Sequence, residues 1–101
     1  MDLIALFFSG AFLCNGVPHL TAGLRGEAFP TPFARPRGVG DSPPQVNFLW
    51  GAVNAIIGLA LLAQHPYVFA LNLETTAFAL GALLLGFWIA RHFGKVRAGR
   101  E

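Results

Sequence analysis

Residues 42–73 read SPPQVNFLWGAVNAIIGLALLAQHPYVFALNL, a run without a single Asp, Glu, Lys or Arg. Soluble domains break such runs often, because about a quarter of their residues are charged. Here 12% of the chain is charged and 54% is hydrophobic. Residues 3–24 and 75–90 are equally free of formal charge. A helix that crosses the hydrocarbon layer needs about 20 mostly apolar residues, and 101 residues enclose too small an interior to hide three such segments from water.

The sequence therefore predicts an all-α integral membrane protein of three transmembrane helices in one domain. Helix 1 is expected over about 3–22, helix 2 over about 46–64 and helix 3 over about 67–90. A Pro/Gly-rich loop fills 23–45 and a basic tail 91–101. Met1 and Asp2 supply no basic leader, and no small-x-small site follows the first apolar run, so that run is expected to stay as a helix. Cys14 reads as a small packing residue.

Basic residues set the expected orientation. Arg25, Arg35 and Arg37 fall in the first loop, and Arg91, Lys95, Arg97 and Arg100 follow helix 3. The turn at 64–67, QHPY, has no formal charge. The positive-inside rule then places the loop and the C-terminus in the cytoplasm and the N-terminus outside. The arginine-rich, Ala- and Gly-rich composition suits a bacterial inner membrane. Pro66 suits the first position of a helix, so helices 2 and 3 are expected to form an antiparallel hairpin and to pack side by side. The loop GLRGEAFPTPFARPRGVGDSPPQV is too rich in proline for regular helix or strand. Its apolar FPTPFA places it on the bilayer interface or back against the helices.

Polar and small residues line helix faces. Asn47, Gly51, Asn54 and Gly58 share one face of helix 2, and Asn72, Thr75, Ala79, Ala82 and Gly86 form a stripe on helix 3. Such stripes let helices approach and hydrogen-bond within a membrane. In the expected hairpin Glu74 lies level with Ile57 and Gly58, about 12 Å along helix 3. A carboxylate there must face protein or water. Helix 1 places Asn15 and His19 one turn apart on one face, next to Pro18, which is expected to kink it.

Three functions follow as expectations. The first is an accessory or interaction subunit of an inner-membrane assembly, touching lipid and other subunits or further copies of itself. The second is a small homo-oligomeric transporter or channel whose path uses Glu74, Asn54 and Asn72. The third is a haem-binding subunit that offers His19 and His92 as axial ligands; otherwise no cofactor is expected. No CxxC, HExxH or phosphate-binding glycine loop occurs, so neither an enzyme nor a nucleic-acid binder is expected.

Overall fold

A computed structural model describes residues 2–65 and 69–100. Its elements are α1 (Leu3–Leu24), β1 (Phe29–Pro30), β2 (Asp41–Ser42), α2 (Pro44–Gln64) and α3 (Leu73–Ala98). All three helices are long and apolar enough to cross a membrane.

The helix ends differ from the expected ones, for local reasons. α1 runs through Pro18 to Leu24 and stops at Arg25, its C-cap, with a glycine directly after it. Gly26 takes φ +70°, while its N–H bonds Gly23 O at 3.1 Å and the Glu27 N–H bonds Ala22 O at 2.9 Å. Only glycine adopts this left-handed position without strain, and the bond pair closes the last turn. α2 starts two residues early, at Pro44, where the missing N–H of a proline costs nothing. α3 starts at Leu73 rather than 67. Asn72 caps it, its side chain accepting from Thr75 N at 2.8 Å. The Pro66 start and part of the QHPY turn fall outside the described residues. At its other end α3 continues through the basic tail to Ala98, since Arg, Lys and Ala favour helix and no proline intervenes.

The side-by-side pairing expected of α2 with α3 is replaced by a different arrangement. α1 is the central helix and packs against both of the others. The cause is its small residues, which fall on two faces. Towards α2, a Cβ at Gly23 would stand 2.7 Å from Phe48 N, and one at Gly51 would stand 2.7 Å from Leu20 Cγ. Towards α3, a Cβ at Gly10 would collide with the Phe78 carbonyl, and one at Gly81 with the Phe7 carbonyl. With no side chain in the way, the backbones come into contact on both sides.

These contacts also fix direction. Ser9 meets Gly58 and Gly23 meets Phe48, so α1 and α2 are antiparallel. Phe7 meets Gly81, Cys14 meets Gly86 and His19 meets Phe93, so α1 and α3 are parallel. α3 buries Gly81 and Ile89, so its packing face is rotated from the expected Asn72–Thr75–Ala79 stripe towards Gly81.

The loop folds over the shared end of α1 and α3. It is not wholly irregular: β1 and β2 pair antiparallel, Phe29 with Ser42 and Pro30 with Asp41. So short a ladder tolerates Pro30, which lacks a donor. Thr31 and Ser42 hydroxyls meet at 2.5 Å inside the loop. Arg100 ties α3 to the loop through Asp41 at 3.0 Å and through the Val39 carbonyl. Because α1 and α3 both end here, Arg25, Arg35, Arg37, Arg91, Lys95, Arg97 and Arg100 gather at one end of the bundle. Asp2, His65 and Glu74 stand at the other, with His65 and Asp2 3.7 Å apart.

Candidate functional site

Ser9 and the Trp50 indole N–H apart, the buried polar side chains of the bundle fall into two clusters. The first joins α1, α2 and the loop. Asn47 is wholly buried, and its Nδ2 donates to the carbonyls of Phe29 at 2.9 Å, Ser42 at 3.1 Å and Pro43 at 3.3 Å. Those bonds fix the amide, so its Oδ1 faces His19, and His19 Nδ1 donates to it at 2.8 Å. The His19 ring also lies edge-on to Phe29 and Phe93, with centroids 5.5 and 6.2 Å away.

The second cluster lies deeper. Asn54 donates to Trp50 O at 2.8 Å and accepts from Asn15 Nδ2 at 3.0 Å. Asn54 is buried, whereas Asn15 is partly open. Asn15 reaches a groove of about 250 Å³ lined by Phe8, Ala11 and Phe12 of α1, Asn54 of α2 and Leu85 of α3. The groove exists because α2 and α3 each hold to α1 rather than to one another. Its floor is therefore α1, and its walls belong to the other two helices. Asn15 Oδ1 accepts no hydrogen bond among the described residues.

Gly51 and Gly58 lie at the α1–α2 contact: Gly58 presses on Leu13, and its carbonyl accepts from Ser9 Oγ at 2.6 Å. Asn72 and Thr75 act at the start of α3. Thr75 Oγ1 also accepts from Ala70 N at 3.2 Å. Glu74 sits in the first turn of α3, half-buried, where the unpaired amides of a helix start favour an acid. Gly81 is level with Phe7, so Glu74 lies level with the start of α1. Asn54 lies level with Asn15, about 20 Å further along the bundle at 1.5 Å per residue. Glu74 and Asn72 thus share one end, and Asn54 is not beside them.

His19 and His92 both lie beside Phe93. Each is engaged within the chain. His92 Nε2 donates to Gly38 O at 2.7 Å, and its ring stacks on Trp88 at 5.4 Å. Phe93 lies against both imidazoles, 5.1 Å from His92 and 6.2 Å from His19. A haem between them would have to displace Phe93 and break the His92 bond, so these residues do not fit the group as they stand. Sequence reasoning passed over Ser9, Phe29 and Phe93. Ser9-Gly10 was a legible pair of small residues, but nothing in the sequence aims Phe29 at Phe93.

Comparison of the chain with protein families, characterised proteins and solved structures finds no match.

Proposed function

We propose that the protein is an accessory subunit of a bacterial inner-membrane assembly, and that the Asn15 groove receives a transmembrane helix of a partner subunit. The observation behind this reading is Asn15 itself. It is a half-open amide on the apolar mid-part of α1, with an acceptor that no described residue fills. In hydrocarbon an unmet polar group is costly, and interhelical bonds from Asn typically contribute about 1 kcal/mol. A helix with a Ser, Thr or Asn at that depth supplies the missing donor, and small residues let it seat between α2 and α3. The seven basic residues at the loop end orient that end to the cytoplasm and the Asp2 end outwards.

The test is gentle extraction from the native membrane followed by native mass spectrometry. Wild-type protein is expected to travel with another membrane polypeptide, and Asn15→Leu to lose it. A lone monomer from wild-type membranes overturns the reading.

A further inference from the structure

Two clefts lie end to end along α3 and share Phe93. One, of about 270 Å³, sits at the loop end, floored by Phe29 and Phe93 and edged by Asp41, Arg97 and Arg100. The other, of about 330 Å³, is apolar and descends between α1 and α3 beside Pro18, Gly86 and Ala90. We propose that together they hold one anionic glycerophospholipid, its phosphate on Arg97 and one acyl chain in the α1–α3 groove.

Charge selects this occupant. Arg97, Arg100 and Asp41 line the upper cleft, and the Arg25–Glu27 pair lies within electrostatic reach of Arg97. Arg25 is bridged to Glu27 at 2.8 Å and Arg100 to Asp41 at 3.0 Å. The Arg97 side chain makes no hydrogen bond or ion pair among the described residues, and the Glu27 carboxylate that feels its charge is already held by Arg25. One uncompensated guanidinium remains, and its planar fork matches a phosphate. An aminophospholipid would need an acid for its ammonium, and both acids are taken.

Depth agrees with charge. α3 is 26 residues long, about 39 Å at 1.5 Å per residue, so it outreaches a hydrocarbon layer of about 30 Å. Its last turns reach the headgroup level, and Ala90, about 10 Å below Arg97, stands where an acyl chain begins. Between them a Cβ at Gly94 would meet nothing within 4 Å, which leaves the path from headgroup to chain open.

The test is native mass spectrometry of the full chain in detergent, titrated separately with phosphatidylglycerol, phosphatidylethanolamine and inorganic phosphate. Circular dichroism checks that each variant keeps its helices. One phosphatidylglycerol is expected to bind about tenfold more tightly than phosphatidylethanolamine, and Arg97→Gln to remove about that factor. Ala90→Trp, which fills the groove without touching the charge, is expected to weaken binding as well. Arg91→Gln, on another face of α3, is expected to leave it unchanged. Equal binding of the two lipids overturns the proposal. So does equal loss in the Arg91 and Arg97 variants, which marks diffuse attraction, or phosphate alone competing for the site, which marks a free-anion pocket.

Discussion

His19 and Asn47 meet across 2.8 Å in the interior, and the same Asn47 amide holds the carbonyls of Phe29, Ser42 and Pro43. One asparagine therefore joins α1, α2 and the loop. The loop's position over the bundle depends on it, and through Phe29 so does the aromatic floor of the upper cleft.

Replacing Asn47 by Ala is expected to release the loop before the helices. The change strands a buried His19 N–H and removes the amide's bonds to the Phe29 and Ser42 carbonyls, for a cost on the order of 3 kcal/mol. Hydrogen exchange should rise at the Ala34 and Gly38 amides, which bond Thr31 O at 3.2 and 2.9 Å, while α2 stays protected. Unchanged exchange at those two amides would show that the loop is held by something else.

Two glycines of α3 should respond in opposite ways to the same substitution. Gly81→Ala drives a methyl into the Phe7 backbone, and overpacking of this kind costs about 1–3 kcal/mol. Gly94→Ala meets open space and should stabilise the helix by about 0.5–1 kcal/mol. Unfolding of the purified variants in mixed detergent and denaturant reads both. A tolerated Gly81→Ala would contradict the close approach of α1 and α3.

Glu74→Gln is expected to cost only about 0.3–1 kcal/mol, the worth of an acid in a helix's first turn. Asn72→Ala, which removes the cap, should cost about 1 kcal/mol. The same unfolding assay orders them. A loss of several kcal/mol from Glu74→Gln would mean that the carboxylate is buried in a network rather than set at a helix start.

Glu27 should titrate below the ordinary glutamate value. The Arg25 hydrogen bond is the main cause, the Arg25 charge adds to it, and Arg97 contributes least. A depressed carboxylate pKa stabilises the fold above the unfolded value, and that contribution fades as pH falls through the folded one. NMR titration of the Glu27 side chain checks this, with Arg25→Gln expected to return the midpoint upwards. A midpoint that ignores the substitution rejects the pair.

The sequence made the class of this protein legible because bilayer thickness imposes a length and a composition on each span. The runs at 3–24, 42–73 and 75–90 carry that imprint without reference to any neighbour. The packing face of α2 was legible for a similar reason: Asn47, Gly51, Asn54 and Gly58 recur at helical spacing, and all four are buried. The face of α3 was not. Ala79, Gly81, Ala82 and Gly86 lie on overlapping stripes, and only Phe7 and Gly10 opposite them decide which one turns inward.

Glu74 shows the same division. Its charge marked it as exceptional within the run, but its depth depends on where α3 begins. That start is set by the Asn72 side chain reaching Thr75 N, a local bond that competes with an apolar pattern extending further back.

Composition and periodicity alone thus determined three membrane-length helices, the gathering of basic residues around two segments, and the polar face of α2. Each is a property of one segment and its solvent. Tertiary structure decided that α1 is the central helix, that a groove opens over Asn15, and that Arg97 stands above an apolar cleft. These are relations between segments, set by backbone approach at Gly10, Gly23 and Gly81, and a linear pattern does not record which small residue faces which partner.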